Sequence, residues 1–343
     1  MKQFSNNNER LPEIDVLRGI SALLIVMYHY TTRYDQIFGH VSSYIINFPW
    51  GYMAVSTFFI LSGFLICMHN KDSDGIISFA FKRVVRLYPA YWAAIIITAS
   101  FTHFFLADRA VTLTEMLINF TMLQGFFNVQ HVDGVYWILK YEILFYALIG
   151  VLIYFKQMQN ILPFCFGWSC ISILLTGFYP FISGKFLSIV TGILMPNFAH
   201  MFILGMAMYL LYQNSRQHLP HIIIALCIIN QYCNFGIGYT LFFLVVTIIL
   251  YSIVYRVKIR IVFQKQITFV ASVSYPLYLI HQNIGYGIIK HMESWGFLHQ
   301  IFLLVPITIS IGLAYLLHRY VEEPSRKALS VMDPLDKWNS LKA

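Results

Sequence analysis

The chain has 343 residues, of which 58% are hydrophobic and 11% are charged, and its formal net charge at pH 7 is +8. This composition, with a mean hydropathy of +0.66, excludes an ordinary soluble domain and predicts an all-α polytopic membrane protein. The positive charge does not favour a nucleic-acid partner, because the basic residues are divided among short loops rather than gathered on one face.

Ten apolar runs are predicted to cross the bilayer as helices, which need about 20 residues each. In chain order they are residues 16–36, 51–69, 88–107, 136–155, 161–180, 187–212, 220–233, 237–255, 267–289 and 300–319. Pro196 interrupts the sixth run. The longest loop covers residues 108–135, and its stretch LTEMLINFTMLQGFF is predicted to lie along the membrane interface as an amphipathic helix.

Lysine and arginine are distributed unevenly between alternate loops. If the N-terminus is cytoplasmic, eighteen of the 23 face the cytoplasm: Lys2, Arg10, Arg18, Lys71, Lys82, Arg83, Arg86, Lys156, Arg216, Arg256, Lys258, Arg260, Lys265, Arg319, Arg326, Lys327, Lys337 and Lys342. Four fall on the other side (Arg33, Arg109, Lys185 and Lys290), and Lys140 lies within a span. Cytoplasmic loops hold an excess of positive charge, so the pattern predicts ten crossings with both termini cytoplasmic.

The chain reads as one membrane domain over residues 1–343, with a core of about residues 13–327 and a short cytoplasmic tail at 328–343, since repeats and linkers are not apparent. The first apolar run lacks a cleavage pattern and is expected to remain as an uncleaved span. The cysteines (Cys67, Cys165, Cys170, Cys227 and Cys233) have no metal-ligand spacing and are predicted to be buried small hydrophobes. No metal site is expected from the spacing of the histidines.

The first span carries two ionisable side chains, Arg18 and His29. On an α-helix their separation of eleven residues gives about 20° in direction and about 16 Å in height, so they share a face. Ionisable groups inside a span usually turn toward a cavity or a partner, which would place Arg18 at the cytoplasmic mouth and His29 deeper. The alternative is that Arg18 is a topological anchor paired with Asp15 and that His29 is an interfacial histidine.

Six stretches, in order along the chain, carry a family resemblance. The first, IDVLRGISALLIVMYH, has a basic residue, a ten-residue spacer and a histidine, at Arg18 and His29. The others are GYMAVSTFFILSGFLI, FKRVVRLYPAYW, WILKYEILFY, SYPLYLIHQ and YVEEPSRK. Together they resemble the acyltransferase-3 family of integral-membrane acyltransferases over about residues 13–327. Some members carry an extracytoplasmic hydrolase-like domain, and the short tail leads us to expect none here.

The resemblance implies roles for Arg83 and Arg86, which match the two arginine positions implicated in acyl-donor binding. Standing three residues apart, they would lie on one side of a helix and hold phosphate groups through forked hydrogen bonds. Arg18 is a further candidate for the same donor. The alternative is a basic cluster that sets topology and binds lipid headgroups.

Glu142 matches the acidic position of the family and is the only acid in the fourth span. A buried carboxylate needs a partner, and His29 is the expected one, because such a bond would fix the imidazole tautomer. A structural ion pair is the alternative. We interpret His281 as a helix-packing hydrogen-bond donor, and Glu322 as a tie between its helix end and an inner-loop arginine.

The resemblance implies a membrane O-acyltransferase that moves an acyl group, with acetyl expected, from cytoplasmic acyl-coenzyme A to a sugar hydroxyl of a surface polysaccharide such as O-antigen or exopolysaccharide. His29 would be the general base, worth about 10² to 10⁴ in rate, and Glu142 would orient it. Acyl-coenzyme A is a co-substrate, and no permanently bound cofactor is expected.

The expected acceptor is a glycan, free or lipid-linked, and the expected location is a bacterial inner membrane. The sequence leaves open whether transfer is direct or passes through an acyl-enzyme. A lipid, peptide or antibiotic-like acceptor is an alternative within the same chemistry. A second alternative is a proton-coupled transporter or flippase of a glycan or small molecule, in which His29, Glu142 and Lys140 form a proton relay.

Overall fold

The computed structural model of the protein describes residues 11–42, 46–69, 75–178, 184–257 and 263–330. Within these residues the α-helices are α1 (Pro12–Tyr28), α2 (Tyr34–Phe38), α3 (Val55–His69), α4 (Ile76–Phe105), α5 (Leu113–Asn119), α6 (Trp137–Tyr154), α7 (Ile161–Phe178), α8 (Lys185–Leu194), α9 (Pro196–Gln213), α10 (Leu219–Val254), α11 (Gln264–Ser272), α12 (Ser274–Ser294), α13 (Leu304–Leu317) and α14 (Glu323–Ser330). Basic residues used above that lie outside the described ranges are Lys2, Arg10, Lys71, Lys258, Arg260, Lys337 and Lys342.

Several segments are long and apolar enough to cross a membrane, which confirms the helical membrane architecture. Among the described residues there are seven: Gly51–His69, Ile76–Phe105, Gly134–Tyr154, Met158–Gly177, Leu187–Gln213, Leu219–Val254 and Gln300–Ala328. The count of ten crossings stays a prediction. The α1–α2 and α11–α12 segments are more polar than these seven, and α10 is a single run of 36 residues.

The α10 run folds back on itself at Gly236, whose φ of 76° and ψ of −175° are not helical. His221 Nδ1 lies 2.9 Å from the Tyr251 hydroxyl, and the two rings are stacked. Thirty residues of straight helix would hold these side chains about 45 Å apart. The run is therefore a helical hairpin, with glycine at the turn where a positive φ is required, and its arms coincide with the predicted seventh and eighth spans.

The predicted interruption of the sixth span is confirmed, one residue before Pro196. Met195 has φ 49° and ψ 50°, in the left-handed region, and it separates α8 from α9. Pro196 then begins α9, a position where its missing N–H leaves no helical hydrogen bond unmade.

The loop between α4 and α6 is α-helical only at α5, so the expectation of one interfacial helix over LTEMLINFTMLQGFF is wrong beyond its first seven residues. Asn119, buried at the end of α5, holds the rest of the loop. Its amide nitrogen donates to the carbonyl oxygens of Glu115 and Gln130, and its amide oxygen accepts from the Val132 N–H.

Beyond α5 the loop turns back into the bundle against the middle of α4. The Tyr88 hydroxyl donates to the Thr121 carbonyl at 3.0 Å, and the Trp92 indole donates to the Phe120 carbonyl at 2.9 Å. Non-helical backbone at membrane depth is tolerated where protein groups satisfy its polar atoms. The loop is thus a re-entrant segment that ends on Asp133, immediately before α6.

Helices α3 and α9 pack with their backbones in direct contact at glycine. A Cβ placed on Gly63 would overlap the Phe202 carbonyl, and one on Gly205 would overlap the Ile60 carbonyl. Small residues let helices approach closely in membranes, so the interface is fixed by these two positions.

Side-chain contacts identify the two ends of the bundle. At one end the His40 ring binds Glu293 at 2.7 Å and Lys290 binds Asp108 at 2.7 Å, which joins the ends of α2, α4 and α12. We call the other end the basic end. It is formed by the start of α1, the start of α4 and the segment around Glu322 and Arg326, together with the end of α3.

The five cysteines differ in exposure, which confirms their predicted burial only in part. Cys165 and Cys227 are buried, Cys67 and Cys170 are intermediate, and Cys233 is exposed.

Gly205→Ala tests the α3–α9 contact. The added methyl meets the Ile60 backbone, which cannot rotate away, so we expect a loss of about 1–3 kcal/mol and a lower unfolding midpoint in detergent. Gly167→Ala on α7 is the matched control, because nothing lies within 4 Å of a Cβ there. Equal midpoints for the two variants would contradict the proposed contact.

Candidate active site

A cavity of about 950 Å³ lies at the basic end, between α1, α3, α4, α6, α12 and the end of α13. Its charged lining residues are Asp15, Arg18, Lys82, Arg83, Arg86, Glu142, Glu322 and Arg326. Five cations against three carboxylates give a surplus of two positive charges. The volume is at the upper end of the range of about 300–1,000 Å³ that is typical of small-molecule sites.

Arg83 lies between aromatic rings. Its guanidinium carbon is 5.3 Å from the centre of the Phe79 ring and 5.4 Å from that of the Tyr146 ring, so both rings stabilise the cation. Its Nε atom is buried and makes no hydrogen bond with the described residues. Buried donors normally have partners, so this atom is available to an anionic ligand.

Arg18 and Arg86 face the carboxylates of the same cavity. Arg86 interacts electrostatically with Glu142 and Glu322. Arg18 interacts with Asp15, as the anchor interpretation expected, and also with Arg86 and Glu142, as the cavity interpretation requires. The structure therefore brings the three predicted donor-binding arginines to one cavity.

Glu142 lines this cavity but does not contact His29, so their expected hydrogen bond is wrong. Its Oε1 atom accepts from the Tyr146 hydroxyl at 2.5 Å and lies 3.4 Å from the Ser62 hydroxyl. Glu142 and His29 do not meet because the two side chains lie at different depths in the bundle. Glu142 sits at the level of Arg86, whereas His29 is about 16 Å along α1 from Arg18.

His29 is paired with a second histidine beyond the cavity. Its Nδ1 atom lies 2.9 Å from the Ile25 carbonyl oxygen and 3.1 Å from Nε2 of His281. The ring is half-buried and stands at the start of a five-residue π-helix, His29–Arg33, between α1 and α2. Such wide turns often occur at functional sites. The sequence alone did not predict this pairing, although the family-matched stretch SYPLYLIHQ, which contains His281, was the signal for it.

Tyr278 separates the cavity from the histidine pair. It lines the cavity, and its hydroxyl donates to the Val135 carbonyl at 2.5 Å. On the other side its ring centre is 5.9 Å from that of His281, one turn further along α12. The predicted site residues thus fall into two parts, a basic cavity and a histidine pair, with one tyrosine between them.

Glu322 interacts electrostatically with Arg86, as the predicted tie to an inner-loop arginine expects, and it also pairs within its own helical segment. It lies 2.8 Å from His318 and 3.7 Å from Arg326. Across the described ranges, no group of three or more histidine, cysteine, aspartate or glutamate residues is placed to hold a metal ion.

A helical membrane bundle with a cationic cavity at one end and a histidine pair behind it defines a membrane protein with an internal ligand site. Residues 11–318 match the acyltransferase domain of acyltransferase family 3, and the chain belongs to this family. No solved structure matches it.

Three relatives show how far the similarity extends. The O-acetyltransferase OatA of Staphylococcus aureus is 24% identical over 368 residues, and a candidate O-acetyltransferase of strain COL of that species is 25% identical over 372. Each match covers 92% of this chain, which spans only 57% of the length of these relatives. The acyltransferase MdmB of Streptomyces mycarofaciens is 32% identical over 91 residues, 26% of this chain and 23% of that protein.

Proposed function

We propose that the protein is a membrane O-acyltransferase that moves an acetyl group from acyl-coenzyme A to a sugar hydroxyl of a surface polysaccharide, such as O-antigen or exopolysaccharide. Family membership supports the reaction class, and the names of OatA and MdmB support an acyl or acetyl group. The observation that carries the proposal is the cavity, whose five cations, three of them partly buried arginines, outnumber its carboxylates and fit a donor with several phosphate groups.

In this proposal Arg18, Arg83 and Arg86 bind the phosphates of the donor at the basic end. Forked guanidinium groups suit phosphate oxygens, and a low-dielectric surrounding strengthens the interaction. The pantetheine arm then extends along the apolar wall of the cavity toward Tyr278. Glu142 limits the positive charge of the cavity and anchors Tyr146, rather than orienting the base.

The chemistry takes place at His29. Its Nε2 atom accepts the proton of the acceptor hydroxyl while the hydroxyl oxygen bonds to the thioester carbon. The carbon–sulfur bond of the tetrahedral intermediate then breaks, and the leaving coenzyme A thiolate recovers the proton from the imidazolium. For this reaction the thioester must pass Tyr278, so the Tyr278–Val135 hydrogen bond opens during the cycle.

Aromatic side chains on the far side of His29 support a sugar acceptor. The Tyr28 ring is 5.1 Å from the His29 ring and 5.2 Å from Tyr52, which is 5.1 Å from Tyr239. The hydroxyls of these three tyrosines make no hydrogen bond within the described parts of the chain. Trp50 beside them is 62% exposed. Aromatic faces with free hydroxyls match the apolar faces and hydroxyl edges of a pyranose ring.

The transporter alternative predicts a site built on broken helices. The breaks at Met195 and Gly236 contribute no residue to the cavity, but the break at Val273 between α11 and α12 is flanked by Ser272 and Ser274, which line it. Broken helices therefore do not separate the two functions, and membership of the acyltransferase family favours acyl transfer.

We further propose ten crossings of a bacterial inner membrane with the basic end cytoplasmic. The proposed ten comprise the seven candidate spans, the second arm of α10, the α1–α2 segment and the α11–α12 segment. The glycan acceptor, free or lipid-linked, would then reach His29 from the outer end.

Cysteine labelling of intact spheroplasts tests the orientation, in a background with the exposed Cys233 changed to serine. A membrane-impermeant maleimide should label Val41→Cys at the outer end and should label Ala328→Cys only after the membrane is opened. The reverse pattern would contradict the proposed orientation.

Coenzyme A binding to protein in nanodiscs tests the donor site. Arg83→Met combined with Arg86→Met should weaken binding at least about tenfold, because two charge-assisted contacts are lost. Glu142→Gln should tighten it about threefold, because the cavity charge rises from +2 to +3. Arg216→Met with Arg256→Met, in a separate cleft, is the matched control. Wild-type affinity in the first variant would exclude the donor site.

Acetylation of purified surface polysaccharide by labelled acetyl-coenzyme A tests the reaction. The wild-type protein should transfer label covalently to sugar, and His29→Ala should lower the rate by about 10² to 10⁴ while coenzyme A binding stays unchanged. His221→Ala on the peripheral hairpin is the control. Transport without covalent label, or full activity of His29→Ala, would refute the assignment.

A further inference from the structure

His281 is a fully buried histidine whose protonation can be assigned from its neighbours. Its Nδ1 atom lies 3.0 Å from the Leu277 carbonyl oxygen and 2.9 Å from the Tyr278 carbonyl oxygen. A carbonyl oxygen can only accept a hydrogen bond. The Nδ1 atom of His281 therefore carries a proton.

The protonation of Nδ1 of His29 can be assigned in the same way. Its Nδ1 atom lies 2.9 Å from the Ile25 carbonyl oxygen, so this atom also carries a proton. It stands 3.1 Å from Nε2 of His281. Two N–H groups facing each other would repel, so Nε2 of His281 has the lone pair and accepts a shared hydrogen bond from His29.

The remaining ring nitrogen of the pair is Nε2 of His29. In a neutral imidazole only one ring nitrogen is protonated, so Nε2 of His29 holds a lone pair. That atom has no hydrogen-bond partner among the residues that the structure describes. It is the one basic nitrogen of the pair that is free to take a proton from another molecule.

We propose that His281 is a positioning residue that, together with the Ile25 carbonyl oxygen, holds His29 in the Nδ1–H tautomer and so presents Nε2 as the base. The catalytic consequence rests on the proposed function, whereas the tautomer does not. In the serine-protease triad a carboxylate orients the histidine in this way. Here a neutral imidazole does so, and no carboxylate has to be buried beside the base.

The position of His281 is itself fixed by the π-helix that follows α1. The Tyr30 hydroxyl donates to the His281 carbonyl at 2.8 Å and is 2.6 Å from the Ser310 hydroxyl. The Tyr30 ring occupies the space that a side chain at position 285 would need, so Gly285 allows α12 to lie against it. Both histidines are therefore held in place by contacts that join the end of the first span to α12 and α13.

Three variants separate positioning from packing. His281→Gln keeps an acceptor near the place of Nε2, whereas His281→Leu fills the site without one. We expect His281→Leu to lower kcat about 10- to 100-fold with an unchanged KM for the acyl donor, and His281→Gln to stay within about threefold of wild type. His291→Leu, which removes a histidine of the same helix that does not contact His29, should retain wild-type kcat.

The tautomer can be read directly from ¹⁵N spectra of the histidine-labelled protein in nanodiscs, with the His29 signals assigned by their loss in His29→Gln. Wild type and His281→Gln should show a protonated Nδ1 and an unprotonated Nε2 at His29. His281→Leu, in which the Ile25 carbonyl oxygen is the remaining acceptor, should show both tautomers, with Nδ1–H as the larger share. This measurement needs no acceptor and no turnover, so it decides the role of His281 even if the protein transfers no acetyl group.

The outcomes divide as follows. A single Nδ1–H tautomer in all variants, or an Nε2–H tautomer in wild type, overturns the proposal. Equal losses of kcat in His281→Gln and His281→Leu, with unchanged tautomers, also overturn it and make His281 a packing residue. Mixed tautomers and a kcat loss in His281→Leu, both restored by His281→Gln, establish it.

Discussion

The structure depends on charge compensation between arginines and carboxylates at one end of an apolar bundle. Moving an ion out of water costs several kcal/mol unless partners compensate, and the three partly buried arginines of the cavity face three carboxylates, while its other two cations, Lys82 and Arg326, are exposed. Arg18, Arg86 and Glu142 come from three different helices, so these charges also join α1, α4 and α6. The two exposed cations give the cavity its net positive charge, which would favour the binding of an anionic ligand.

The separation of the basic cavity from the histidine pair gives each part a different environment. The cavity carries charged groups at a helix-end surface, whereas His29 and His281 lie behind Tyr278 among aromatic rings. The 3-10 turn between the loop and α6 supplies the Val135 carbonyl that binds Tyr278, so in the proposed cycle this turn would control contact between donor and base. Keeping water away from the thioester until the acceptor is present would suppress its hydrolysis.

Sequence reasoning predicted the parts that follow from local pattern. Helical spacing placed Arg83 and Arg86 together, and both line the cavity, as does Arg18, whereas His29 lies outside it. Sequence reasoning assigned Glu142 to the wrong partner, because depth in a bundle depends on where each helix begins, and α6 begins at the end of a re-entrant loop. The fold of that loop rests on Asn119 and on donors from α4, contacts between segments that no local pattern reveals. His29 and His281 are 252 positions apart in the sequence, so their pairing likewise cannot be predicted from residue spacing.

The central claim is that the arginine cavity holds the donor and directs its thioester toward His29. The most direct measurement is a structure of the protein in lipid nanodiscs with a non-hydrolysable acetyl-coenzyme A analogue. The account predicts phosphate density within hydrogen-bond distance of Arg83 and Arg86, with the acyl carbonyl next to Nε2 of His29 and Tyr278 displaced from Val135. Donor phosphates bound elsewhere, or an acyl group held on the cavity side of a closed Tyr278 when an acceptor sugar is also present, would contradict it.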